Sequence, residues 1–223
     1  RQVRTVDEHI RPVHHDAALI LVRRHRRREQ RAQFDRLLFG IGRGERMGGP
    51  KSSLQIGGVS ILKYLLDHLQ WPGPTLLVTG TGNEKPPGHD LFDREVTDAV
   101  AGEGPLRGVL TALDATTTEQ LVAVTVDMPG VRRQQIEWLL DQIGDREVAM
   151  VSRLIDGVAR VEPFPCVLRR TIRPKLVQRL AAGRRSVHAL GEEAGAVFAA
   201  PATWGEDVWL NLNHPEDLRH VER

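Results

Sequence analysis

The stretch "LVAVTVDMPG", Leu121 to Gly130, decides how this chain of 223 residues is read. Six consecutive apolar or β-branched residues, cut off abruptly by Asp, Pro and Gly, have the character of a buried central strand. An Asp at the carboxyl end of such a strand stands where open α/β sheets hold their ligands, so Asp127 is expected to point into a crevice. A lone carboxylate there suits Mg2+, which takes one or two carboxylates and fills its shell with phosphate oxygens and water. Alternatively, Asp127 caps the turn ahead of a helix, a common task for Asp.

Outward from this strand, short apolar runs alternate with segments of helical period. "RLLFG" (36–40) is the first strand of the series and "TLLVT" (75–79) a second buried one. Between them Ile61, Leu62, Leu65, Leu66 and Leu69 recur at helical spacing and stop before "WPGP". Pro105 fits the first turn of a helix whose buried side is Leu106, Val109, Leu110 and Leu113, and Ile136, Leu139, Leu140 and Ile143 mark another. This alternation predicts an α/β fold, a mostly parallel Rossmann-like sheet with helices on both faces. Further along, "EVAMVSRL" and "VARVEPF" flank Asp156-Gly157 and form a hairpin. "RPKLVQRLAAG" is a helix stopped at Gly183, "RRSVHALGEEAG" a shorter one, and "AVFAA" and "VWLNL" are late strands. With no internal repeat and no linker, residues 34–223 form a single domain.

Composition narrows the function classes. Hydrophobic residues make up 40% of the chain, enough for a real core. One cysteine, Cys166, cannot form an internal disulfide or a zinc cluster, which suits a reducing cytoplasmic location. No apolar run approaches the roughly 20 residues that span a bilayer, so no membrane partner is expected. The chain opens on Arg1, as expected of a processed product or part of a longer chain. The net charge of +2 divides unevenly: residues 1–36 hold ten Arg against five Asp or Glu, leaving the other 187 residues at 21 minus 24. Residues 1–33 therefore form a basic N-terminal extension. Its run "RRHRRREQR" has no interleaved aromatic side chains to stack on bases, so a solvated arm or helix is expected rather than a nucleic-acid contact.

Behind the first strand comes "LLFGIGRGERMGGPKSSL", Leu37 to Leu54, with five glycines. Backbone N–H groups in such a turn can converge on an anion, and Arg43, Arg46 and Lys51 add positive charge. Neither the Walker spacing nor G-x-G-x-x-G is present; Pro50 precedes the lysine, and Met47 stands where the third glycine would be. A phosphate cradle and a flexible basic loop both fit. Asp98, in "VTDAVAGEGPLRG", either faces a nucleotide or braces its loop. In "NLNHPEDL", Asn211 and Asn213 point the same way from an extended segment, toward a ligand or toward backbone groups of a turn, and Pro215, Glu216 and Asp217 open a terminal helix.

In sequence order, "RMGGPK", "GPLRGVLTAL", "VDMPGV", "EPFPCVLRR" with "LAAGRRSVHAL", and "NLNHPEDL" resemble the motifs of the molybdenum cofactor guanylyltransferase family, of the wider nucleotidyltransferase fold. The resemblance covers residues 35–221. It implies transfer of GMP from GTP to the phosphate of molybdopterin-bound molybdenum, release of pyrophosphate and a requirement for Mg2+, with molybdoenzymes or their chaperones as partners. It puts Lys51 on the triphosphate, Asp127 on Mg2+ and Asp98 on the nucleotide, as catalytic and nucleotide-binding residues. Phe39, Gly40, Ile41, Gly42, Arg46 and Gly48 fall around the phosphates, while Arg184, Arg185, Asn211 and Asn213 match positions on the pterin side. Two departures stand out. Ile41 occupies a place where the family has glycine, although a β-branched residue resists positive φ; Pro50 replaces an Asp common before the lysine. They motivate two alternatives: an impaired relative acting as a cofactor-binding or delivery protein, and an enzyme that uses CTP.

Overall fold

The computed structural model describes residues 53–81, 85–100, 102–194 and 196–221, together with the backbone of two strands nearer the start. Its elements in chain order are β1 (Ile20–Arg23), β2 (Phe34–Gly40), β3 (Gln55–Ile56), β4 (Val59–Ser60), α1 (Ile61–Leu69), β5 (Thr75–Gly80), β6 (Arg94–Asp98) and α2 (Pro105–Ala115). The second half adds β7 (Gln120–Thr125), α3 (Arg133–Gln142), β8 (Val148–Ile155), β9 (Val158–Arg169), α4 (Arg173–Ala181), α5 (His188–Glu193) and β10 (Val197–Ala199).

β7 is the strand expected from "LVAVTV", and all six of its residues are buried. It lies third in a six-stranded sheet of order β1-β2-β7-β9-β8-β10, parallel to β2 and antiparallel to β9. β5 and β6 form a parallel pair beside β2. The fold is α/β, but the strand directions are mixed: β2–β7, β5–β6 and β8–β10 are parallel, while β9 runs against both of its neighbours. The cause is local. Asp156 (φ 51°) and Gly157 (φ 78°) close the two-residue turn expected between β8 and β9, and a turn that tight can join only antiparallel strands.

The helices follow from their apolar spacing. α1 buries Ile61, Leu62, Leu65 and Leu69; Ser60 caps it by accepting from Lys63 N at 3.3 Å, and Gln70 ends it in the left-handed region. α2 starts at Pro105, buries Leu106, Val109, Leu110, Ala112 and Leu113, and packs on β5 and β6. At about 1.5–3 kcal/mol for each fully buried Leu or Val side chain, faces of this kind supply the main drive to fold. Gly183 (φ 69°) follows α4 as the expected stop.

Two segments depart from expectation. β1 lies within the basic extension, where an arm or helix was expected; its apolar Ile20-Leu21-Val22 run pairs antiparallel with β2. "VWLNL" is not a strand. Glu206–Trp209 forms a 3-10 turn because its backbone bonds close locally, Val208 N to Gly205 O and Leu210 N to Asp207 O, instead of joining a ladder. Aromatic packing holds the turn in place: Trp204 lies 5.2 Å from Trp138 and 5.6 Å from Trp209, and the Arg153 guanidinium sits 5.3 Å over the Trp209 ring.

This turn presses on the DMPG segment at Gly130, where a Cβ would lie 1.7 Å from the Asp207 carbonyl oxygen. Gly130→Ala is therefore expected to cost roughly 3 kcal/mol through forced backbone movement, seen as a fall of about 6–12 °C in melting temperature for a domain of this size. Gly108→Ala is the control. The nearest atom to its Cβ is 3.9 Å away within α2, and thermal unfolding should show a gain of roughly 0.5–1 kcal/mol.

Candidate active site at the carboxyl edge of the sheet

The direction of α2 determines which residues share an edge. Its first turn meets the end of β6, where Arg107 Nε donates to Asp98 Oδ1 at 3.2 Å. Its last turn meets the start of β6, where Arg94 donates to the Ala115 carbonyl. The start of β7 lies there too: Arg170 donates to the carbonyls of Leu113 and Thr116, and the preceding Arg169 of β9 stands opposite Gln120. Hence β6 and β7 begin together and end together, with Asp98 and Asp127 at the far edge. These cations also occupy the carboxyl terminus of α2, where the helix dipole favours positive charge.

Other candidates reach the same edge by separate routes. α4 runs against α2: Arg173 at its start pairs with Asp114, while Arg185 beyond its end donates to the Gly102 carbonyl at 3.1 Å. This brings Arg184 and Arg185 beside the loop after Asp98. Leu212 N donates to the Asp127 carbonyl at 2.8 Å, which sets Asn211 and Asn213 on either side of that bond. In the β2–β7 ladder, Phe39 stands opposite Val124 and Gly40 opposite Thr125, so the backbone of β2 ends level with β7. Ile41, Gly42, Arg46, Gly48 and Lys51 lie outside the described residues.

The environments of the two carboxylates differ. Asp127 is 1% exposed and opens a tight turn in which Met128 N donates to Thr125 O and Val131 N to Met128 O. The N-cap of α3 is Arg132, whose N–H is accepted by Gln135 Oε1 at 3.0 Å. Asp98 is 9% exposed, and its Oδ1 accepts from Val100 N, Arg107 Nε and Thr111 Oγ1, each at 3.2 Å. It braces the start of its loop. No three His, Cys, Asp or Glu side chains converge as a metal cage among the described residues. A cation here would therefore draw most of its ligands from nucleotide and water, which fits a single strand-end carboxylate.

Two arginines that matter were not singled out from sequence. Arg179, 3% exposed, holds the loop carrying Arg184 and Arg185: it pairs with Glu193 and donates to the Ser186 carbonyl at 3.0 Å. Its signal was a charge on the apolar face of α4, between Leu176 and Leu180. Arg107 lies in the first turn of α2, where the helix dipole disfavours a cation, a misfit that points to acidic partners. Cys166 is fully buried, and burial pushes its thiol pKa well up, so it stays protonated and inert. A cleft of about 220 Å3 lined by Gln120, Asp141, Gly144, Asp145 and Arg169 lies at the opposite edge, and none of the candidate residues lines it.

Residues 38–197 match the family model described as the MobA-like NTP transferase domain. The molybdenum cofactor guanylyltransferase of Serratia proteamaculans is 30% identical over 183 residues, 81% of this chain and 90% of that protein. The one of Ectopseudomonas mendocina is 31% identical over 184 residues, 82% and 88% of the two chains. Among solved structures, molybdopterin-guanine dinucleotide biosynthesis protein A from Archaeoglobus fulgidus aligns with a TM-score of 0.63 at 21% identity, covering 81% of this chain and 93% of its own. The 2-C-methyl-D-erythritol 4-phosphate cytidylyltransferase of Thermus thermophilus aligns at 0.59 and 21%, covering 77% and 92%. At these identities the structural likeness establishes the fold, that of the nucleotidyltransferases.

The Arg179–Glu193 pair gives a pH prediction. The hydrogen bond from Arg179 lowers the Glu193 pKa from its ordinary 4.5, against a smaller opposing effect of burial. A depressed carboxylate contributes stability above its unfolded pKa and loses it as pH falls through the folded one. Between about pH 5 and 3, the melting temperature of Glu193→Gln should therefore fall less steeply than that of the wild-type protein, as followed by circular dichroism.

Proposed function

Because the chain belongs to the MobA-like NTP transferase family, we propose that it transfers GMP from GTP to the phosphate of molybdopterin-bound molybdenum cofactor, releasing pyrophosphate. The chain is a nucleotidyltransferase, and residues 34–223 are taken as the transferase unit. The observation that carries the reading is the shared edge: buried Asp127 lies two residues beyond the end of β7, where Thr125 stands opposite Gly40 of β2, and the glycine-rich, lysine-bearing sequence follows Gly40.

The pterin phosphate oxygen attacks the α-phosphorus of GTP; a new P–O bond forms as the bond to the β-phosphate oxygen breaks, and pyrophosphate carries away the electron pair. No protein nucleophile is needed, because such transfers rest on positioning and on stabilising spread negative charge. Asp127 would hold Mg2+, which when bound neutralises charge on the phosphate oxygens. Lys51, Arg46 and the backbone of Phe39, Gly40, Ile41, Gly42 and Gly48 would surround the triphosphate, and Asp98 would accept a hydrogen bond from the nucleoside. Arg184 and Arg185, both exposed beside Gly102, would take the incoming phosphate. Asn211 and Asn213, next to the Asp127 turn, would orient the pterin side. Among the described residues no helix is long and apolar enough to cross a membrane, in keeping with an enzyme of the cytoplasm.

GTP with Mg2+ should raise the melting temperature, as any ligand of the native state alone must, and by more than CTP does. Asp127→Ala should fold yet lose at least about 100-fold in guanylyl transfer in a reconstituted cofactor-loading assay. Cofactor loading that persists in Asp127→Ala would instead identify a carrier, and a larger shift with CTP would reassign the base.

A further inference from the structure

Asp98 offers two carboxylate oxygens, and the described residues engage only one. Its Oδ1 takes three donors, Val100 N, Arg107 Nε and Thr111 Oγ1, each at 3.2 Å, while Oδ2 takes none from a described residue. Two of the donors come from α2 at an i, i+4 spacing, so one face of the helix grips one oxygen. The pair is partly sheltered, with side-chain exposures of 26% for Arg107 and 13% for Asp98. Glu103, 3.9 Å from the Arg107 guanidinium, adds a second carboxylate that favours Arg107 in the first turn of its helix.

Resting on the reading of Asp98 as a nucleoside contact, we propose that Arg107 is a positioning residue: by occupying Oδ1 together with Thr111, it leaves Oδ2 as the single oriented acceptor for a hydroxyl or N–H of the nucleoside. A carboxylate with both oxygens free to rotate could satisfy a ligand donor in several poses. With one oxygen held by a permanently charged, planar guanidinium it has one. The loop between Asp98 and α2 is held from outside as well, since Arg185 donates to the Gly102 carbonyl. Arg107 thus links the nucleoside side of the site to the loop on which the substrate-side arginine rests.

The test is a double-mutant cycle on GTP binding, measured by calorimetry with Mg2+ on the full chain, alongside the melting temperature of each ligand-free variant. Arg107→Ala and Asp98→Ala should each weaken GTP roughly 10-fold, and the double variant should bind within about 2-fold of Asp98→Ala, because Arg107 acts only through Asp98. Arg107→Lys, which keeps the charge but not the planar donor, should fall between wild type and Arg107→Ala. If Asp98→Ala binds GTP as wild type does, the nucleoside reading of Asp98 fails and the positioning role falls with it. If Asp98→Ala weakens binding but Arg107→Ala does not, or the two losses multiply in the double variant, the positioning role alone is wrong. Should Arg107→Ala fail to fold, Arg107→Lys and Arg107→Gln enter the same cycle, and multiplicative losses there overturn the proposal equally.

Discussion

The burial of β7 is the constraint from which the rest of the ligand edge follows. A strand with no exposed residue cannot slip by one position without exchanging every side chain between faces, so its register is held from both sides. That register puts Gly40 of β2 opposite Thr125 and ends the strand two residues before Asp127. From this point the placement of every described candidate is a matter of which element returns to the same edge. α2 carries Asp98's partners there, α4 delivers Arg184 and Arg185, and the segment after the Trp204–Trp209 turn closes on the Asp127 carbonyl through Leu212.

Electrostatics at this edge are arranged by pairing more than by net charge. Arg107 is balanced by Asp98 and Glu103, Arg179 by Glu193, and Arg153 by Glu162 and Glu206. Arg184 and Arg185 are held more lightly, one 3.7 Å from Glu193 and the other on a main-chain carbonyl, and both stay exposed. Loosely held guanidinium groups beside a braced loop are suited to an anionic substrate, which can replace weak partners without stranding a buried charge. Buried Arg179 does the opposite work, fixing the loop so that its neighbours arrive in place.

Much of this was legible in the sequence, for identifiable reasons. β7 holds an unbroken apolar run, α1 and α2 have strong helical periodicity, and the Asp156-Gly157 turn is set by local backbone chemistry, so each reads correctly without knowledge of its neighbours. The "VWLNL" segment misled because a short apolar run reads as a strand, but its partners are aromatic rings and the DMPG turn instead of an adjacent strand. β1 was missed because four residues of strand sit in a run dominated by arginine. Arg107 and Arg179 were invisible as partners because a contact between residues on different elements leaves no trace in local pattern; only their misplacement, a cation at a helix start and a charge on an apolar face, hinted at them.

The central claim is that one edge of the sheet gathers the nucleotide-binding residues around a metal. Paramagnetic broadening of backbone amides by GTP with Mn2+ in place of Mg2+ tests it most directly. The account predicts strong broadening at Gly40, Asp98, Gly102, Asp127 and Leu212, with Asp114, Gly144 and Glu147 at the opposite edge spared. Broadening centred on Gly144 and Glu147, or absent from Asp127, would contradict it.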